Sequence, residues 1–417
     1  MSKIGIDFGT SFCTASWINP RTKLPEAITF HETGKQKMPS IVHYAANGNV
    51  VAGEAAYNLL EDSGRITDEG ERNAIFSSTI TSIKRKMEPN GCYYIHDRRV
   101  THQTVIKDIL LKIKKEAEKA CFYDTIDEVV ITHPVVFEEW KKEMLRSSAL
   151  EAGFKKVELY FEPVSAAIGF MESTGNNSSG LLVYDFGGGT FDVAYVKRGK
   201  DGSYHVPVLP EGDPYCGGDD IDDILYNEWD KLAQREHKRG ITSNIHARDI
   251  AFLSRCRKQK ENMSSSINEL PQQSFNEILP PPGFQRIKMT FDKTQFEKIM
   301  SPVIENTIGK TQLLLNKIRA EGLPLDTAIM IGGSSRIPMI KERLSQILYP
   351  LKPQDVMAVD VAVALGAVSC GIQSIAKPQS HSIANQKHCY CSKCGEKIKR
   401  SFKRCCYCGK DNAMYMK

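Results

Sequence analysis

No apolar run in the 417 residues approaches the length of a membrane span, and hydrophobic residues make up 41% of the chain against 25% charged. That balance argues against a helical membrane protein and suits a globular chain with core enough for two or three domains. No secretory leader is expected either. Met1-Ser2-Lys3 leads straight into a strand-like run carrying Asp7, so the expected compartment is the cytoplasm. Nor do the twelve cysteines read as a disulfide framework. Six fall between Cys389 and Cys408 and the rest are scattered, which favours reduced thiols and a metal site. Two enzyme signatures are incomplete. Asp-Phe-Gly occurs twice, but without a His-Arg-Asp loop or a Gly-x-Gly-x-x-Gly segment, which sets aside a protein kinase. Gly309-Lys310-Thr311 imitates the end of a P-loop, yet the required upstream glycine is Ile304, inside a helical stretch. His133, before Pro134, reads as a packed or capping histidine rather than a general base.

What is present centres on residues 182–193. The apolar run Leu181 to Tyr184 reads as a buried strand delivering Asp185 to its carboxyl end. Gly187, Gly188 and Gly189 follow, then Thr190 and a second strand-like stretch carrying Asp192. Such a glycine hairpin lets backbone N–H groups face an anion without Cβ obstruction, while the carboxylates suit a hydrated Mg²⁺ and an attacking water. The pattern recurs at the start of the chain as Ile4-Gly5-Ile6-Asp7-Phe8-Gly9-Thr10-Ser11. Two copies imply an internal duplication, with a polyphosphate held between similar lobes. Strand–helix alternation elsewhere gives an α/β class, and Gly175 to Gly180 marks the lobe boundary. Residues 61–72 read as a polar loop. Cys216-Gly217-Gly218-Asp219-Asp220 opens a long helix, and two readings stay open there: N–H groups capping a terminal phosphate, or a plain helix N-cap. Gly332 and Gly333 end another buried strand, where open α/β sheets bind ligands.

Together these segments resemble the actin-like ATPase superfamily, most closely the nucleotide-binding domain of DnaK-type heat-shock chaperones, over about residues 3–375. Five motifs carry the resemblance in order: Gly5 to Ser11; Ile131 to Pro134 with Glu162-Pro163-Val164-Ser165-Ala166-Ala167; Asp185 to Val193; Cys216 to Asp219; and Ile331 to Pro338 with Asp360. The resemblance implies two ribonuclease-H-like lobes (residues 1–178 and 179–375, the last helix, 360–375, returning toward lobe I) around a cleft for ATP and Mg²⁺. It implies that Gly9, Thr10, Ser11, Phe12, Gly187, Gly188, Gly189 and Thr190 bind phosphates, with Gly217, Gly218 and Asp219 beside them. Asp7 and Asp185 would hold the Mg²⁺ water shell, Asp192 and Glu162 would orient the attacking water, and Thr190 would sit at the γ-phosphate. Lys260, Ser264, Gly332, Gly333, Ser334, Arg336 and Asp360 would enclose the adenosine. Two departures stand out. The family lysine of a Gly-Asp-Ala-Ala-Lys segment falls on Tyr57, leaving Lys84 or Arg85 as replacement cations, and in the adenosine helix a family glutamate falls on Arg257 and a ring-stacking arginine on Glu261.

After Ile375 the resemblance would continue into a peptide-gripping β-sandwich. This chain instead has a polar tether (376–388) and a cysteine-rich segment (389–417), so it looks like a short, YegD-like form. Cys391-x-x-Cys394-Gly and Cys405-x-x-Cys408-Gly are two knuckles that fit one tetrahedral Zn²⁺ in a zinc ribbon. From Lys377 onward ten Lys or Arg face Glu396 and Asp411, a surplus of +8 that leaves the rest of the chain at −3 of the total +5. A basic ribbon suits an acidic-protein, anionic-lipid or nucleic-acid partner, or is simply a solvated loop. The functional expectation is a chaperone-like ATPase whose lobe closure regulates a protein partner or co-chaperone. The alternatives are a catalytically weak nucleotide-sensing scaffold, a small-molecule kinase and an actin-like filament.

Overall fold

The structure, a computed structural model, describes residues 2–121, 125–242, 249–266, 272–280, 285–356, 360–370, 388–390 and 397–399. The chain divides into two compact units, residues 1–376 and 377–417.

The first unit begins with β1 (Ser2–Asp7), antiparallel to β2 (Phe12–Ile18), with β3 (Pro25–Ala27) and β4 (Lys37–Pro39) both pairing to β2. A small sheet of β5 (Ile41–Tyr44), β6 (Val50–Ala52) and β7 (Thr79–Thr81) follows, interleaved with α1 (Glu54–Ser63), α2 (Glu69–Ser77) and then the single turn α3 (Ile83–Lys86). The hairpin β8 (Cys92–Ile95) and β9 (Arg98–Thr101) runs into α4 (His102–Ala120). Thr101 caps that helix by accepting the Thr104 N–H at 3.0 Å, and Val105, Ile109, Ile113 and Ala117 form its buried stripe. Next come β10 (Ile126–His133), α5 (Glu139–Glu151), β11 (Lys156–Phe161) and α6 (Glu162–Thr174). Strands β10 and β11 join the first sheet in parallel beside β1, giving the order β11-β10-β1-β2-β3.

The design then repeats. Antiparallel β12 (Gly180–Phe186) and β13 (Phe191–Arg198) form the second hairpin, and β14 (Tyr204–His205) and β15 (Glu211–Asp213) pair with β13. Helices α7 (Gly218–His237) and α8 (Ile250–Ser266), the hairpin β16 (Gln272–Ile278) and β17 (Arg286–Asp292), and α9 (Lys293–Ala320) lead to β18 (Thr327–Ile331), α10 (Pro338–Leu348) and β19 (Gln354–Asp355). The resulting order, β14-β13-β12-β18-β19, matches the first sheet: hairpin partner on one side, later parallel strands on the other. This repeated topology is the duplication that the two glycine hairpins imply.

Two helices lock the halves together. α11 (Ala362–Cys370) crosses α6 so closely that a Cβ on Gly366 would lie 1.7 Å from the Ser165 carbonyl oxygen. α6 follows a strand of the first sheet but packs with Leu181, Val183 and Ile329 of the second. α11 follows the second sheet and lies on β1, where a Cβ on Gly5 would meet the Val368 nitrogen at 2.5 Å. Each helix therefore closes the sheet it did not come from.

The stretch 61–72 is not a loop. It holds the end of α1 and the start of α2, whose cap Asp68 accepts the Glu71 N–H at 2.7 Å. Among the described residues no helix is long and apolar enough to cross a membrane. In the second unit β20 (His388–Tyr390) pairs antiparallel with β21 (Lys397–Lys399), His388 opposite Lys399. Cys391, Cys394, Cys405 and Cys408 lie outside the described residues.

Candidate active site

The two hairpins meet at a cleft of about 530 Å³. Strand register determines what reaches it: Asp7 stands opposite Thr14, and Asp185 opposite Asp192. The second turn is tight, with the Gly187 N–H donating to the Thr190 carbonyl at 3.1 Å. Its glycines are needed because the hairpins interlock. A Cβ on Gly188 would fall 2.1 Å from Ser11 Oγ, and one on Gly189 2.4 Å from Thr10 Cγ2.

Asp7, Asp185 and Glu162, the last from the start of α6, line the cleft together with Lys84 from α3. Lys84 Nζ donates to Glu162 Oε1 at 2.6 Å, and both side chains are at most 5% exposed. Burial, reinforced by Glu162, pushes the Asp7 carboxyl up to about 7 against the opposing pull of Lys84 and of the Thr132 hydroxyl, which donates to it at 3.4 Å. Asp185 is raised well above the carboxylate range by burial and then by Glu162, Asp192 and Asp7. Asp192 is buried, neither of its oxygens makes a hydrogen bond of good geometry, and burial with Glu162 pushes it up to about 8. Burial works against the Lys84 ammonium, but Glu162 and Asp7 hold it above its ordinary value. Four buried carboxyl groups around one lysine cannot all ionise unless a further cation joins them, a donor set that fits a hydrated divalent cation. Among the described residues no three His, Cys, Asp or Glu side chains converge tightly enough to ligate an ion directly.

Most of the residues singled out from sequence line this cleft. They are Gly9, Thr10, Ser11, Phe12, Gly187, Gly188 and Thr190 from the hairpins, Lys260 and Ser264 from α8, and Gly332, Gly333, Ser334, Arg336 and Asp360 beyond β18. Arg336 and Asp360 form an ion pair at 2.9 Å. Gly332 has φ +80°, and a Cβ there would fall 2.8 Å from Asp185 Oδ1. Gly189 and Asp192 are not among the lining residues: the first packs on Thr10, and the second is buried opposite Asp185 across the hairpin.

At the start of α7 the fold takes one of the two readings that the sequence leaves open. The N–H groups there are already committed. Gly218 and Asp219 donate to the carbonyls of Gly187 and Gly188 at 3.0 and 2.6 Å, and Gly217 donates to Asp220 Oδ2 at 2.7 Å. This is the helix N-cap reading, and the carbonyls of the glycine turn are what it caps against, so Gly217, Gly218 and Asp219 offer no backbone donor to a phosphate. Tyr57, where the family lysine falls, sits on α1 with its hydroxyl 3.1 Å from Ser254 Oγ; of the two replacement cations named from sequence, Lys84 lines the cleft and Arg85 pairs with Asp220 at 2.6 Å.

Arg257 and Glu261 both line the cleft. Arg257 is held by Asp219 at 2.8 Å and Asp222 at 3.1 Å, while Lys260 bonds the Gly218 carbonyl and Asp222, each at 2.8 Å. His133 is a packed histidine. It is buried beside Phe137 and Phe161, its Nδ1 donates to the Pro134 carbonyl at 2.8 Å, and burial pushes it down to about 4. Sequence reasoning missed Thr14 and Lys37, which also line the cleft. The available signal was the alternation that puts Thr14 on the same strand face as Phe12.

The family profile described as Hsp70 protein matches residues 3–383. The chain is similar to the chaperone protein DnaK of Thermotoga neapolitana (29% identical over 370 residues), of Thermosipho melanesiensis (30% over 373) and of Nitrosopumilus maritimus (26% over 384). These matches cover 87%, 87% and 89% of this chain but only 58%, 58% and 57% of the relatives' own lengths. With its duplicated sheets, paired glycine hairpins and the family match over most of its length, the chain belongs to the Hsp70 family.

Proposed function

We propose that the first unit binds MgATP between its two hairpins and hydrolyses it slowly, and that lobe closure on the nucleotide signals to a protein partner of co-chaperone type. The observation that carries this reading is the buried group Asp7, Glu162, Asp185 and Asp192 around Lys84, placed where two interlocked glycine turns meet. In this reading lobes 1–178 and 179–375 are the moving parts. Thr10, Ser11, Phe12 and the glycines of both turns hold the phosphate chain, and Lys260, Ser264, Gly333, Ser334 and Arg336 hold the nucleoside. Asp7 and Asp185 orient the water shell of the metal, and Mg²⁺ when bound supplies charge neutralisation at the phosphate oxygens. Glu162, fixed by Lys84, and Asp192 orient the attacking water, and Thr190 faces the terminal phosphoryl group. Positioning and charge carry such a reaction, so buried, pre-set carboxylates suit it.

The cysteine knuckles are the second part of the proposal. By their spacing, Cys391, Cys394, Cys405 and Cys408 are a thiolate set of zinc type. The basic surplus there fits an acidic or nucleic-acid partner. Single-turnover hydrolysis of radiolabelled ATP with Mg²⁺, beside an Asp192→Asn control, tests the first part. Release that the control loses supports the ATPase, ATP retention without release makes the chain a nucleotide-gated scaffold, and no binding refutes the site.

A further inference from the structure

One row of side chains in the cleft holds two, Thr14 and Lys37, that have no task in that scheme. Asp7 on β1 stands opposite Thr14 on β2, and Thr14 opposite Lys37 on β4. Directly opposed residues project from the same sheet face, and all three line the cleft. Phe12 shares the face, and its ring centre lies 5.0 Å from Lys37 Nζ. The row therefore runs from a buried carboxylate, past a hydroxyl, to an ammonium.

Lys37 differs from the other cations of the cleft. Lys84 is paired with Glu162, Arg257 with Asp219 and Asp222, Lys260 with Asp222, and Arg336 with Asp360. Lys37 has no carboxylate within 4.0 Å among the described residues, only the Phe12 ring. Beneath it the Thr14 hydroxyl is buried and also without a partner. An ammonium that faces an anion site unpaired can engage an incoming phosphate without first breaking an ion pair.

We propose that Lys37 is a further phosphate-binding cation of this cleft, taking the terminal phosphoryl oxygens of the bound nucleoside triphosphate, with Phe12 holding its ammonium against the wall. The inference rests on the nucleotide reading above and adds a residue to it. The terminal group is the target because the row begins at Asp7, among the carboxylates, and not at α8 or Gly333, where the nucleoside would lie.

The test is calorimetric titration, with Mg²⁺, of ADP and of an ATP analogue with a non-hydrolysable β–γ bridge into the unaltered chain, Lys37→Met and Lys37→Arg. A lost charge-assisted contact predicts that Lys37→Met weakens the triphosphate by about tenfold or more while ADP stays within about twofold, and that Lys37→Arg restores the difference. Raising the salt concentration erodes triphosphate binding less in Lys37→Met than in the unaltered chain. Equal loss for both nucleotides, or no loss for the triphosphate, overturns the assignment while intact ADP binding leaves the nucleotide site standing. Failure of the unaltered chain to bind either nucleotide overturns both.

Discussion

Replacing Asp192 by Asn separates what the cleft carboxylates do for stability from what they do for chemistry. Asp192 is 1% exposed, and burial moves its pKa from 3.8 to about 8. A carboxyl raised in the folded state binds its proton more tightly there than in the unfolded chain, so stability falls as pH climbs from about 4 to about 8 and then levels off. At pH 7 the unfolded chain gains from ionising a group the folded chain keeps protonated, over roughly three pH units, or on the order of 4 kcal/mol. Asn cannot ionise, so the variant escapes that loss while keeping the side chain's volume. Urea unfolding followed through Trp229, which is fully buried, should show the variant gaining on the parent steadily from pH 5 to pH 8, with no gain at pH 4. In the same preparations ATP turnover should be lost. A stability difference that does not change with pH would refute the electrostatic account, and full turnover by the variant would remove Asp192 from the reaction.

Three further outcomes follow from the geometry. Lys84→Met strands Glu162 beside three other buried carboxylates, which should cost about 3–5 kcal/mol at pH 8 and less at pH 5, and should reduce single-turnover hydrolysis at least roughly a hundredfold. Gly366→Ala forces a methyl within 1.7 Å of the Ser165 carbonyl; separating α6 from α11 should cost about 3 kcal/mol, read as a lower melting temperature, and an unchanged melting temperature would show that the crossing is loose. Atomic absorption should find about one zinc per chain, and Cys394→Ser with Cys408→Ser should abolish it while leaving nucleotide binding in place.

How far the sequence could be read depended on whether a residue's role is local. The strand Thr327–Ile331 and the hairpin around Gly187–Gly189 were legible because apolar runs and glycine punctuation are local signals. The helix α2 was hidden by its polar composition, although Asp68 and Glu71 carried the spacing of a cap. The cation was legible only as a choice. With Tyr57 where the family lysine falls, the sequence leaves Lys84 or Arg85, and it is Lys84 that reaches the cleft, on α3, a turn whose position is set by β7 pairing with β5. Lys37 reaches the cleft through a strand pairing, Thr14 with Lys37, that no local pattern announces. The capping of α7 on the glycine turn joins two segments far apart in sequence, so the two readings of Gly217 and Gly218 had to stay open until the backbone donors were seen to be used.

The same accounting settles what the substitution of Arg257 does to the cleft. Read alone, an arginine in place of an acidic residue adds positive charge where the nucleoside would sit. In the fold it is cancelled: Asp219 and Asp222 hold the guanidinium, Asp222 also holds Lys260, and Asp219 further accepts from Ser11 at 3.2 Å and Ser82 at 3.1 Å. The arginine thus ties α8 to the start of α7, and through Asp219 to the first hairpin and the turn before α3. A ligand approaching that side meets paired charges that orient but do not attract strongly. In the proposed reading, net attraction for a polyanion is left to the backbone donors of the two turns, to a metal held by Asp7 and Asp185, and to Lys37, the one lysine of the cleft with no carboxylate within 4.0 Å among the described residues.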